Sequence, residues 1–264
     1  MALGWINVEE FSFNHLLMLE RFQIRLLCSI DFPEIQRSMG IALRHHPAVA
    51  WYLAHRCPEC ATHIEQLVKE APERVSSEEL RKCECEVMRS IEDFVLYTDP
   101  EQMDSCCSFI YGWEPSRLLE LADFKDKIVL DVGSGSGRLA FAAAKAAREV
   151  YASEPVDRLR EYLRDTIKQK KIQNVRVVDG MIDCLPYPDN TFDIVVSGHV
   201  CGDDFEHEVA EITRVVKNGG WLIDCPGEDP ICPSEKMRKN GWEEFPYESR
   251  FGGTVYRYRK QVIK

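Results

Sequence analysis

Val129-Leu130-Asp131-Val132-Gly133-Ser134-Gly135-Ser136-Gly137-Arg138 is the stretch that decides the fold. With Lys127 and Ile128 before it, the apolar run 127–133 is predicted as a strand. Three glycines follow at alternate positions, and the alanine-rich segment 139–148 is predicted as a helix. A strand passing through glycines into a helix is the opening unit of an α/β sheet. Glycine reaches positive φ and lets the backbone approach a ligand closely. The crevice beyond the carboxyl ends of such strands is where doubly wound sheets bind ligands.

The pattern continues downstream. Residues 149–154 are predicted as a strand, 157–170 as a helix with Leu159, Tyr162, Leu163 and Ile167 on one face, and 175–178 and 192–197 as strands. A helix over 205–216, a turn at Gly219-Gly220 and a strand over 221–225 follow. Gly252-Gly253 lies between two β-like runs and predicts a terminal hairpin. The expected fold class is therefore α/β, a doubly wound and mostly parallel sheet with a C-terminal β-hairpin. Glu154 ends the second strand, where a carboxylate can accept hydrogen bonds from ribose hydroxyls. A tight strand-to-helix turn beside a strand-end acid would use the same residues without a ligand. A nicotinamide dehydrogenase also places glycines here, but its fingerprint is G-x-G-x-x-G, whereas this loop reads G-x-G-x-G.

Upstream, the texture is different. Residues 1–112 contain no convincing alternating strand and are expected to form an all-α region, with 113–264 as the second domain. Residues 9–30 are apolar almost all round, which predicts a buried helix ending at Asp31-Phe32-Pro33. A second helical stretch covers 48–70. A third starts after Ser76, where Ser76 and Glu79 fit a capping box, and runs over 77–97.

Length and charge narrow the function classes. The chain has 264 residues and a formal net charge of −11. That balance disfavours nucleic acid and anionic membrane as general partners. No apolar run reaches the ~18–20 residues of a membrane span, and residues 1–10 do not read as a signal or transit peptide, so a cytoplasmic location is expected. The 11 cysteines are an odd number, which suits a reducing compartment.

The ten residues from Val129 to Arg138 resemble motif I of the class I S-adenosylmethionine-dependent methyltransferases. Two further segments match in the family's order. Leu185-Pro186-Tyr187-Pro188-Asp189-Asn190-Thr191-Phe192-Asp193 resembles L-P-F-P-D-N-S-F-D, and the run from Glu211 to Gly220 resembles E-I-x-R-V-L-K-P-G-G with Asn218 replacing proline. The resemblance covers residues 113–264 and implies a Rossmann-like methyltransferase sheet with S-adenosyl-L-methionine as cofactor. It implies that Gly133, Ser134, Gly135 and Gly137 face the methionine and ribose of the donor, with Asp131 near its amino group. Glu154 would take the ribose hydroxyls and Pro155 would lie beside the adenine. The family usually has an Asp at the adenine edge; here Gly180-Met181-Ile182-Asp183 puts Met181 there, which leaves Met181 packing with the Ile182 N–H, or Asp183 as a substitute, to take that place. Ser197, Gly198 and His199 would face the sulfonium end.

Methyl transfer from a sulfonium is a direct displacement that needs alignment and exclusion of water. A base is needed only where the nucleophile carries a proton. His199 is the candidate base by position; a hydrogen-bonded histidine at a strand end is the plainer reading. Asp203 and Asp204 can bind a substrate or cap the helix at Phe205, and the cap is preferred. Tyr97, Tyr111 and Trp113 can cover donor or acceptor, or be core. Cys57-Pro58-Glu59-Cys60 and Cys83-Glu84-Cys85 suggest a four-thiolate zinc site. On one helix, however, Cys83 and Cys85 stand roughly 200° apart, with Cys83 inward and Cys85 outward, so no metal site is expected. The reading is an enzyme acting on a small-molecule acceptor, with the N-terminal region as lid and acceptor side. The alternatives are a non-catalytic donor-binding or metal-responsive module using the N-terminal cysteines, and an arsenite-type methyltransferase using Cys201 with Cys225 or Cys232. Acceptor identity and oligomeric state are not legible from the residues.

Overall fold

The computed structural model describes residues 4–107, 110–202, 204–228 and 234–264. The chain divides into two compact units, Met1–Gln102 and Met103–Lys264. Among the described residues no helix is long and apolar enough to cross a membrane.

The first unit is helical: α1 Arg21–Cys28, α2 Pro33–His45, α3 Pro47–Arg56, α4 Ala61–Glu70, α5 Ser77–Ser90 and α6 Glu92–Leu96, with α7 Pro100–Cys106 running through the division. The single helix expected over 9–30 does not form. Asn7 and Ser12 instead accept hydrogen bonds from the Glu9 and Asn14 backbone N–H groups, and each opens a short 3-10 turn. Such local side-chain bonds compete with helix continuation. The segment wraps instead, burying Phe11, Phe13, Leu16 and Leu19. The expected 48–70 helix breaks at Cys57-Pro58, where proline cannot donate to the preceding turn. The third helix begins as expected, with Ser76 Oγ accepting from Glu79 N at 3.1 Å, but it breaks at Ile91. The buried Glu92 accepts hydrogen bonds from the Gly4, Trp5 and Ile6 backbone N–H groups and fixes that segment to α6.

The inward–outward assignment of Cys83 and Cys85 is corrected: both are buried, at 2% and 6% exposure. α5 packs on α2 along one side and on the 3-10 turns along another, so residues about 200° apart on its surface are both covered.

The second unit is a seven-stranded sheet: β1 Ile128–Val132, β2 Glu149–Ser153, β3 Val175–Val178, β4 Phe192–Ser197, β5 Val216–Asp224, β6 Glu243–Glu248 and β7 Thr254–Gln261. The order is β3-β2-β1-β4-β5-β7-β6. The first five strands are parallel, and β7 pairs antiparallel with both β5 and β6, which is the expected hairpin. Helices α8 Ser116–Leu119, α9 Arg138–Ala143, α10 Asp157–Lys170, α11 Phe205–Val215 and α12 Glu235–Lys239 accompany the sheet. In β1 both faces are covered, as a central parallel strand requires, and Val129, Leu130 and Val132 are almost fully buried. Each such side chain contributes ~1.5–3 kcal/mol by leaving water. α9 is shorter than the expected 139–148 helix, and Asn174 Nδ2 donates to the Ala144 and Ala147 carbonyls beyond its end. Gly219-Gly220 lies inside β5, where its pairing with β4 is irregular, rather than in a turn before it.

Candidate functional site

The strand order reverses between β1 and β4, which opens a crevice at their carboxyl ends. Register brings four strand ends level: Val132 faces Ser153 and Ser197, and Ser197 faces Asp224.

The glycine loop closes over these ends. Ser134 N donates to Ser153 O at 3.1 Å, and Gly137 N to Ser134 O at 2.8 Å. Gly135 N donates to Glu154 Oε2 at 2.8 Å, and Val156 N to Glu154 Oε1 at 2.9 Å. Gly137 starts α9 at φ 99°, and a Cβ there would stand 2.4 Å from the Phe141 ring. Gly133, at φ 63°, has Val200 so close that an added Cβ would stand 2.6 Å from it. Only glycine meets both demands. At Gly135 the open face is covered by Met103, whose Cε would lie 3.5 Å from a Cβ built there.

Three carboxyls are buried at this edge. Burial raises Asp131 and Glu154 to about 7 each, and Asp224 to about 6. Hydrogen bonds offset part of the rise at Glu154 and Asp224, from the Val156 and Gly135 N–H groups and from Ser197 Oγ. Arg138 acts on Asp131 and Asp224 with its positive charge. Its Nη2 donates to Cys225 O at 2.7 Å and to Pro226 O at 3.2 Å, and its guanidinium lies 4.7 Å over the Trp113 ring. Asp131 Oδ2 and Arg138 Nη1 are buried without a hydrogen-bond partner among the described residues. An unpaired buried polar atom is costly, so a ligand that carries both donors and acceptors suits this edge.

The other residues singled out from the sequence are distributed as follows. Pro155, Met181 and Ile182 are half-buried, and Met181 bridges to Cys184. Ser197 is buried and donates to Asp224 Oδ1 at 2.9 Å. His199 is exposed just past β4 and takes the left-handed conformation at φ 63°. A non-glycine residue held there is strained, and such strain clusters at functional sites. Asp204 stands at the start of α11 but makes no side-chain cap. Glu208 instead accepts from Gly202 N and Asp204 N and ties the preceding loop to the first turn of α11, so the preferred side-chain cap at Asp204 does not form. Asp203 and Cys232 lie outside the described residues. Trp113 is buried and Tyr111 exposed. Cys225 is fully buried, and burial raises the Cys201 thiol to about 12. Among the described residues, no group of three or more His, Cys, Asp or Glu side chains is arranged to hold a metal. A cavity of about 630 Å³ opens on the α9–α10 side of the loop, lined by Ser136, Gly137, Phe141 and Tyr162; Glu154 and Met181 are not in its lining.

A family described as "Methyltransferase domain" matches residues 130–224, the span from β1 to the end of β5. From β1 to the end of β5 the sheet unit is thus a match to a methyltransferase domain. The chain is 32% identical over 129 residues to an uncharacterized methyltransferase YcgJ of Bacillus subtilis, which covers 47% of this chain and 51% of that protein. It is 29% identical over 142 residues to a demethylmenaquinone methyltransferase of a Geobacillus strain, covering 51% and 61%. The chain thus spans about half to three-fifths of the length of these curated relatives. A SAM-dependent methyltransferase from Aquifex aeolicus shares the fold, with a TM-score of 0.50, 19% identity, and coverage of 62% of this chain and 99% of that one.

The same edge also holds residues to which motif reading gave no role. Arg138 was visible as the residue closing the glycine loop. Asp224 ends β5 level with Ser197, a signal available once strand ends are compared. Met103 carried no signal, because nothing local ties it to a loop some thirty residues later.

Proposed function

We propose that this chain transfers a methyl group from S-adenosylmethionine to a small-molecule acceptor. The observation that carries the reading is the Glu154 carboxylate held against the Gly135 N–H at the strand-order reversal, next to the unpartnered Asp131 Oδ2. The bound donor supplies an electrophilic methyl on a sulfonium. Glu154 accepts hydrogen bonds from the ribose hydroxyls, and Asp131 Oδ2 accepts from the ammonium group. The backbone of Gly133, Ser134, Gly135 and Gly137 lines the methionine and ribose. Pro155, Met181 and Ile182 flank the adenine, and Ser197, held by Asp224, lies at the sulfonium end. His199 takes a proton at an imidazole nitrogen where the acceptor's nucleophile carries one. A net charge of −11 favours a small acceptor over nucleic acid.

The test is calorimetric titration with S-adenosylhomocysteine, followed by transfer from methyl-labelled donor to small-molecule, protein and nucleic-acid fractions. One site per chain and label in the small-molecule fraction are expected. Label confined to protein or nucleic acid would remove the acceptor class. Tight binding of NAD in place of the donor product would remove the donor reading.

A further inference from the structure

Three thiols of the helical unit gather around one turn. Cys57 and Cys60 are buried, at 0% and 6% exposure, with their sulfurs 3.3 Å apart. Cys28, at the end of α1, is half-buried and packs against the core cluster that contains both. The turn explains the pairing. Pro58 opens a single 3-10 turn, and Cys60 N donates to Cys57 O at 2.9 Å. In 3-10 geometry, side chains three apart eclipse one another, so this turn sets both sulfurs on one side. Arg21 of α1 forms a two-pronged ion pair with Glu59, at 2.9 and 3.0 Å, which holds α1 against the turn.

We propose that Cys57 and Cys60 form a dithiol–disulfide site, oxidised by exchange with a low-molecular-weight disulfide such as oxidised glutathione, with Cys28 as the entry thiol. The Cys28 thiolate attacks one sulfur of the oxidant, forming a mixed disulfide and releasing one glutathione thiol. Cys60 then displaces the second glutathione and gives a Cys28–Cys60 disulfide. Cys57 attacks the Cys60 sulfur, forming Cys57–Cys60 and returning Cys28 to a thiol. The net reaction joins two protein thiols and reduces one glutathione disulfide to two glutathione thiols. Forming the bond closes the 3.3 Å gap to the ~2.05 Å of a disulfide, a movement within side-chain rotation. Burial and the neighbouring thiols raise Cys57 to about 12 and raise Cys28 as well, so exchange runs through a small thiolate fraction and is slow at neutral pH.

The experiment uses the reduced full chain, incubated without oxygen at pH 8.5 with excess oxidised glutathione, blocked with N-ethylmaleimide and mapped by mass spectrometry after trypsin. Residues 57–69 form one tryptic peptide containing both cysteines. It is expected unlabelled and lighter by two hydrogens, and dithiothreitol restores both labels, while glutathione accumulates on the exposed Cys184. Double maleimide labelling of that peptide after oxidation overturns the proposal. In Cys28→Ser, checked for native circular dichroism, formation slows several-fold with the same product; an unchanged rate overturns the role of Cys28. One zinc per chain in protein purified without added metal, lost in Cys57→Ser, overturns the dithiol reading in favour of a metal site.

Discussion

The Gly135 N–H and Glu154 Oε2 stand 2.8 Å apart and tie the loop after β1 to the end of β2. Glu154 Oε1 takes the Val156 N–H in the same way. A carboxylate has about four acceptor positions, and these two bonds use two of them. Glu154 therefore shapes the loop and keeps acceptor capacity for two further hydrogen bonds, which the proposed function gives to the ribose hydroxyls. Removing the carboxylate should act on both tasks.

Glu154→Ala is accordingly expected to weaken S-adenosylhomocysteine binding at least tenfold, since each charge-assisted bond contributes ~1.5–3 kcal/mol. Calorimetric titration of the variant measures it. Undiminished affinity would move the ribose away from Glu154.

The same carboxyl makes stability depend on pH. Its folded value of about 7 lies above the ~4.3 of an exposed Glu. Between these values the folded chain binds more protons than the unfolded one, so the contribution is full below pH ~4.3 and is lost as pH rises through 7. The loss is on the order of 3 kcal/mol. Wild type should therefore lose stability relative to Glu154→Gln from pH 5 to 8 in urea titrations. Parallel pH profiles would show that Glu154 is ionised throughout. Donor binding, by favouring the carboxylate, should release protons near pH 6.5. That release appears as a buffer-dependent enthalpy.

Gly137→Ala should lower the thermal midpoint. The new Cβ meets the Phe141 ring at 2.4 Å and Leu163 at 2.7 Å, in a conformation costing a side chain ~1–3 kcal/mol. A melting curve superimposable on wild type, with normal donor binding, would show that the loop can relax around a side chain.

Native thiol labelling should separate the cysteines by access rather than by their place in C-x-C or C-x-x-C pairs. Cys184 is exposed and should react first, whereas Cys83 and Cys85 should both react slowly. Fast, selective labelling of Cys85 would mean that α5 opens readily on that side.

The sequence determined the sheet unit closely, because its signals are local. β-branched runs, the alternate glycines from Gly133 to Gly137 and the acid at Glu154 each report on their immediate backbone, and the starts of β2, β3 and β4 and both ends of α10 fall where those signals place them, whereas β5 starts five residues early, at Val216. The hairpin around Gly252-Gly253 is legible for the same reason. Tertiary structure decided what depends on distant partners. The side chains of the 3-10 turns and α1 within 9–30 join one core with those of α2 to α6, and Cys85 is covered although helix periodicity faces it outward. Asp224 reaches Ser197 across the sheet, Met103 covers Gly135, and Cys28 meets Cys57 and Cys60 across the helical unit. Periodicity fixes a side chain's direction on its own element, but only packing fixes what lies opposite it.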